Sequence, residues 1–121
     1  MDKIIARGLR FKGCHGVLEI ERQTPQEFII DLELELDLAP AGLKDELELT
    51  VDYDQVFHTV RKIVEDKSYK LIETLAENIA RAVLENFPVK AVEVTVYKPH
   101  APVDGIFDYF AVKIRRGHVE I

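Results

Sequence analysis

The sequence predicts an α+β fold: a four-stranded antiparallel sheet with two helices on one face, in the order β-β-α-α-β-β. Three patterns carry that prediction. In residues 27–38, Phe28, Ile30, Leu32, Leu34, Leu36 and Leu38 alternate with Ile29, Asp31, Glu33, Glu35 and Asp37. Such alternation belongs to a strand with one face packed and the other wet. Two central stretches instead carry apolar residues at helical spacing. Alternating runs then return near the C-terminus. With short connections between these runs, two helices laid over one face of an antiparallel sheet is the natural packing.

Each element has its own justification. Residues 3–12 read as a first strand, with Ile5, Leu9 and Phe11 on one face. Gly13-Cys14-His15-Gly16 breaks it, and glycines on both sides suggest a tight turn holding His15. That histidine can satisfy backbone groups in the turn or take part in chemistry. Glu19 and Glu21 are expected in a loop that Pro25 closes. The long alternating strand follows, and Pro40 and Gly42 mark a loop after it.

The first helix is predicted over 53–66, where Val56, Phe57, Val60, Ile63 and Val64 keep helical spacing. Asp52 with Gln55 resembles a capping box. Tyr53 would then sit in the first turn. A second helix runs to about Phe87 with Ile72, Leu75, Ala76, Ile79, Ala80, Val83 and Leu84 on its core stripe. Glu73 falls at its start, where the helix dipole favours an ionised carboxylate. Pro88 ends it. Val92, Val94 and Val96 then alternate with Glu93, Thr95 and Tyr97. Lys98 closes this strand, and the proline after it holds Lys98 extended. Such a lysine serves as a positioned acid or base, or as a plain surface lysine entering a loop. Residues 106–116 are expected to form the last strand.

Size and composition narrow the rest. A chain of 121 residues is one domain, 1–121. A single cysteine, Cys14, rules out an internal disulfide and fits a reducing, cytoplasmic setting. No apolar run reaches membrane-spanning length, and Met1-Asp2-Lys3 leads into a strand with no signal-peptide pattern. A net charge of −6 argues against nucleic acid as a partner. The acidic row of the long strand needs cations opposite, and Arg10, Lys12, Lys113 and Arg115 lie on other strands.

Metal and cofactor signals are missing. His15, His58, His100 and His118 are scattered, without ligand spacing. The chain has no phosphate-cradling loop and no nucleophile elbow. Glu21, Tyr53, Glu73 and Lys98 remain, each near an element end. They suit a metal-free, cofactor-free acid–base site.

Four segments carry a resemblance. They are Phe11-Lys12-Gly13-Cys14-His15-Gly16-Val17 with Glu21, Thr50-Val51-Asp52-Tyr53, Leu71-Ile72-Glu73-Thr74-Leu75-Ala76-Glu77, and Lys98-Pro99-His100-Ala101-Pro102. In this order and spacing the chain resembles the dihydroneopterin aldolases of folate biosynthesis. The resemblance implies the tunnelling fold, with four sheets joined into a barrel and two such rings stacked as a homo-octamer. It implies a pterin substrate bound between subunits. Glu73 would hold the amino-pyrimidinone edge, and backbone groups of Leu71, Ile72 and Val51 would frame the ring. Lys98 would be the acid–base group near the ring nitrogen, with Glu21 beside it. Tyr53 of a neighbouring subunit would handle side-chain protons, and His15 would be structural support. Cys14, Asp54 and Asp104 depart from common family residues. Two other readings stay open: an epimerase acting on the triphosphate of the same pterin, and a non-catalytic pterin-binding ring.

Overall fold

The computed structural model describes residues 1–118. Its elements are β1 (Lys3–Gly13), α1 (Glu19–Gln23), β2 (Gln26–Glu35), α2 (Ala39–Lys44), a 3-10 turn (Leu47–Leu49), α3 (Tyr53–Asp66), α4 (Ile72–Asn86), β3 (Ala91–Lys98) and β4 (Phe110–Gly117). The strands form one antiparallel sheet in the order β1-β2-β3-β4. Helices α3 and α4 cover one face, α3 against β1 and α4 against β3 and β4. Phe28, Ile30, Leu32 and Leu34 of β2 and Val92, Val94 and Val96 of β3 form the sheet side of the core. Val56, Val60, Val64, Leu75, Ile79 and Val83 form the helix side. No described helix is long and apolar enough to cross a membrane.

The expected architecture holds, with local differences that have physical causes. β2 ends at Glu35 and not at residue 38, because its ladder partners run out there: Lys3 and Ala91 both pair with Glu35. The loops expected around Glu21 and Pro40 each contain a short helix. β4 starts at Phe110, later than expected. Before it, Tyr109 packs edge-on against Tyr97 at 4.8 Å and Phe107 packs against Phe110 at 4.9 Å. Asp52 caps α3 by accepting the Asp54 N–H at 3.0 Å, a single cap without a reciprocal bond from Gln55.

The largest correction lies in β1. Ile5 does not share a face with Leu9 and Phe11; it is 55% exposed on the opposite side. Ile4 and Ala6 point to the core instead, facing Leu34 and Leu32. A bulge between Ala6 and Leu9 inserts one residue and shifts the alternation. Gly8 makes the bulge possible, with its backbone left-handed at φ +69°. The Gly8 N–H donates to Asp31 Oδ1 at 2.7 Å. Arg7 lies 3.7 Å from the other oxygen, and the Tyr97 hydroxyl donates to it at 2.7 Å.

The acidic row of β2 is matched by cations. Lys3 meets Glu33 at 3.3 Å, Arg10 meets Glu27 at 3.0 Å and Arg115 meets Glu35 at 2.7 Å. Lys113 meets Glu93 of β3 at 3.4 Å. Lys12, expected in this set, makes no ion pair among the described residues. Asp37 lies beyond the strand.

Two glycine substitutions separate backbone strain from packing. A Cβ at Gly8 would meet nothing within 4 Å. Gly8→Ala is therefore expected to lose about 1–2 kcal/mol through the left-handed backbone alone. Gly42 sits in α2 with similar open space, so Gly42→Ala should gain about 0.5–1 kcal/mol. Urea midpoints at one fixed protein concentration check both, and equal shifts would refute the strained bulge.

Candidate active site

Lys98 belongs by alternation to the row Val92, Val94 and Val96, which faces the core. Its ammonium therefore enters the end of the sheet beneath the loops. There it meets Glu21 Oε2 at 2.6 Å, with side chains only 12% and 8% exposed. Glu21 comes from α1, a single helical turn where the sequence predicts a loop. Its other oxygen accepts the Leu18 N–H at 3.3 Å, and Gln26 Nε2 donates to Oε2 at 3.3 Å. Burial alone would push the Glu21 carboxyl up. The hydrogen bonds from Lys98, Leu18 and Gln26 outweigh it and hold the group below the ordinary value of 4.5.

The backbone around this pair is clamped. A Cβ on Gly16 would occupy the space of the Glu21 carboxyl group. Arg22 of α1 reaches back and donates to the carbonyls of Gly16 at 3.0 Å and Val17 at 2.6 Å. The Gly16 N–H donates to the Tyr69 carbonyl at 2.9 Å. Ser68 Oγ donates to the Cys14 carbonyl at 2.6 Å. The turn after β1 is thus tied to the turn between α3 and α4.

His15 is the centre of that tie. It is fully buried, stacks on Tyr69 at 5.6 Å and meets Phe28 edge-on at 5.2 Å. Nδ1 accepts the Tyr69 N–H at 3.1 Å, and Nε2 lies 2.7 Å from the Val64 carbonyl. A nitrogen facing a carbonyl must carry the proton, so the ring is the neutral Nε2–H tautomer. Burial, the larger effect, holds its pKa below 6.5, with the Lys98 charge acting the same way and the Val64 carbonyl opposing. His15 binds two turns together and presents no free nitrogen to a ligand.

The tie carries the chain to the start of α4. Leu71 occupies the N-cap position without a side-chain cap, Ile72 begins the helix and Glu73 lies exposed in its first turn. Uncapped N–H groups at such a helix start are open to a ligand. Lys98, Glu21, Leu71, Ile72 and Glu73 therefore share one end of the molecule.

Val51 and Tyr53 do not. Val64, near the end of α3, touches His15, whereas Tyr53 starts that helix ~16 Å away along its axis. Tyr53 is 74% exposed and lines an apolar cavity of about 420 Å³ with Ile4, Ile5, Ala6, Leu9 and Phe57. Val51 is buried near Asn86, Phe87 and Pro88 at the far end of α4. One chain thus carries two groups of predicted site residues at opposite ends of its sheet. Sequence reasoning missed Gln26. The available signal was a glutamine at the head of an otherwise apolar alternating row.

Known proteins are similar to this chain in sequence and in fold. The family model for dihydroneopterin aldolase, FolB, matches residues 4–115. The chain is 44% identical over 117 residues to the dihydroneopterin aldolase of Bacillus subtilis (strain 168), covering 96% of this chain and 98% of that one. Its fold is similar to the FolB crystal structure from Vibrio cholerae O1, with a TM-score of 0.91, 30% identity and 98% of each chain covered. E. coli dihydroneopterin aldolase in complex with neopterin gives a TM-score of 0.89 at 27% identity, over 97% of this chain and 100% of that one. These similarities define a lyase of the aldolase class. The chain belongs to the dihydroneopterin aldolase family.

The His15 tie predicts a pH dependence of stability. His15 is neutral when folded and takes up a proton on unfolding at pH below 6.5. The unfolded state then binds more protons than the folded one, so stability is present above pH 6.5 and falls as pH drops toward the folded pKa. Urea midpoints measured from pH 7 to pH 5 should fall more steeply for the native sequence than for His15→Asn. Parallel curves would remove His15 as the buried titrating group.

Proposed function

We propose that this chain cleaves 7,8-dihydroneopterin by a metal-free retro-aldol reaction at sites shared between subunits. The products are 6-hydroxymethyl-7,8-dihydropterin and glycolaldehyde. The observation that carries the proposal is the buried Lys98–Glu21 pair at 2.6 Å, within one clamped end that also holds Glu73. The substrate class follows from the family and from the neopterin bound to the E. coli relative.

Retro-aldol cleavage needs a sink for the electron pair released when the carbon–carbon bond breaks. Other aldolases supply a lysine Schiff base or a metal. Dihydroneopterin carries its own, a conjugated C=N beside the breaking bond. A base removes the proton from the side-chain hydroxyl beyond that bond. The bond between the first two side-chain carbons breaks, glycolaldehyde leaves, and the pair flows into the ring. Lys98 delivers a proton to the ring nitrogen, with Glu21 holding the ammonium in place. The enamine carbon then takes a proton while the ring nitrogen returns its own to Lys98, which restores the ring C=N and gives the hydroxymethyl product. Positioned acid–base groups suffice for each step. Readdition of the aldehyde to its other face gives 7,8-dihydromonapterin, so epimerase activity belongs to the same site.

Glu73 accepts the paired N–H groups of the pterin's amino-pyrimidinone edge. Backbone groups of Leu71, Ile72 and the neighbour's Val51 frame the ring. Tyr53 comes from the neighbour because the chain's own Tyr53 lies at the wrong end. Such sharing requires more than one chain, and we assign a ring assembly, an octamer of two stacked tetramers. The free edges of β1 and β4 support it, since unpaired edges favour joining. A monomer in sedimentation with full activity would contradict the ring.

Turnover of 7,8-dihydroneopterin with release of glycolaldehyde tests the reaction, and turnover of its triphosphate instead would favour the epimerase. Glu73→Gln should chiefly weaken pterin binding, raising KM. Lys98→Ala should lower kcat by about 100-fold or more, the scale of acid–base catalysis. Normal turnover in Lys98→Ala would remove its role.

A mixing experiment tests the sharing. Tyr53→Phe and Lys98→Ala, each impaired alone, are unfolded together, mixed equally and refolded. About one quarter of interfaces should then unite an intact tyrosine with an intact lysine. Activity should rise toward that fraction of a refolded native control. Activity no higher than the mean of the two variants would rule out a shared site.

A further inference from the structure

One buried polar atom beside the ion pair has no partner. Gln26 opens β2 and pairs with Gly13 across the β1–β2 ladder. By alternation it heads the row Phe28, Ile30, Leu32 and Leu34, all buried beneath the helices. A leucine or methionine would suit that row. A glutamine brings an amide that needs hydrogen bonds once buried. Half of that need is met, since Nε2 donates to Glu21 Oε2, the oxygen that also meets Lys98. The other half is not: the Gln26 Oε1 atom is buried without a hydrogen-bond partner among the described residues. Reversing the amide would aim an oxygen at a carboxylate and leave the NH₂ group unpartnered.

An orphaned acceptor in a native structure calls for an account. This one belongs to a side chain fixed at both ends of its reach, by the sheet register and by Glu21. No described residue donates to it, so its donor is an O–H or N–H from outside the described residues. The pterin ring edge already has Glu73. Of the ligand's other donors, the hydroxyls of its side chain belong to the part that reacts next to Lys98. We propose that Gln26 positions the substrate: its NH₂ group holds the Glu21 carboxylate against Lys98 while its carbonyl accepts a hydrogen bond from a side-chain hydroxyl of the bound pterin. The assignment rests on the aldolase reading of the site and extends it to the polyol side chain.

Two substitutions separate the two halves of the amide. Gln26→Met is close in size and removes both donor and acceptor. Gln26→Glu keeps the shape and an acceptor but loses the donor and sets a second carboxyl against Glu21. Binding is measured with neopterin, which carries the hydroxylated side chain, and with pterin, which carries none. In Gln26→Met we expect neopterin affinity to fall about tenfold, one strong hydrogen bond's worth, with pterin affinity unchanged. In Gln26→Glu the preference for neopterin over pterin should persist. Its kcat should fall, and the acid limb of its kcat/KM profile should move to higher pH, because adjacent carboxyls resist joint ionisation. The titratable groups facing that pair are Lys98 from β3 and, through Lys98, His15 from the turn after β1.

Gln26→Met with native preference for neopterin would overturn the ligand contact, as it would if a bound water filled the role. Gln26→Glu with a native pH profile would overturn the hold on Glu21. Far-UV circular dichroism and the urea midpoint accompany both variants, and an affinity loss equal for neopterin and pterin would mark a merely structural residue. The binding arm needs no turnover. A native chain that binds neopterin but does not cleave 7,8-dihydroneopterin would refute the aldolase reading, while the Gln26 contact would still stand or fall on the affinities.

Discussion

Two opposite charges brought together under the end of a sheet set the terms for the surrounding structure. Removing Lys98 and Glu21 from water is costly, by several kcal/mol per ion in general. The close approach at 2.6 Å offsets part of that cost, and the Leu18 N–H and the Gln26 amide offset more. These contacts exist only if α1 forms its single turn. Arg22 ties that turn back to Gly16 and Val17, and Gly16 leaves room for the carboxyl. Removing one charge would leave the other buried and uncompensated, so folding of this loop and competence of the pair are one property.

The same clamp reaches the second half of the end. His15 spans the gap between the turn after β1 and the turn before α4, satisfying Val64 on one side and Tyr69 on the other. The short segment from Tyr69 to Glu73 then has little freedom relative to Lys98. A histidine suits this post better than any other residue. It is flat enough to stack on Tyr69, and it carries a donor and an acceptor on opposite sides of the ring. Its neutrality follows from burial, and a second positive charge beside Lys98 would work against the pair.

The sheet and the two long helices are legible in the sequence because alternation and helical spacing are strong, local signals. Tyr53 and Glu73 fall in first helical turns, as expected, and Lys98 closes β3. The misses have separate physical causes. The face of Ile5 reversed because Gly8 accepts a left-handed backbone whose N–H is caught by Asp31, 23 positions later. The turn around Glu21 lacks the length for a periodic signal. Gln26 was passed over because a glutamine at a strand start looks like an ordinary edge residue until its neighbours are known.

The polar face of the sheet bears on assembly in the same way. Asp31 gathers the Gly8 N–H, Arg7 and the Tyr97 hydroxyl, and its hydrogen bond, followed by burial, pushes the Tyr97 phenol up to about 12. That phenol therefore stays protonated at any physiological pH and keeps donating. The bulge it helps to hold lies on β1, an edge strand, and bulges increase local twist. A twisted, charge-matched edge resists random pairing with other chains yet still offers its backbone to a complementary edge. On the shared-site reading this matters for activity as well as solubility. Tyr53 lies beside the start of β1 and Lys98 beside the start of β4. Any change that alters how those edges meet also alters the distance between the two halves of the site. Weakening of the ring would then appear first as lost turnover, while the core of each chain, built from contacts within its own sheet and helices, stayed folded.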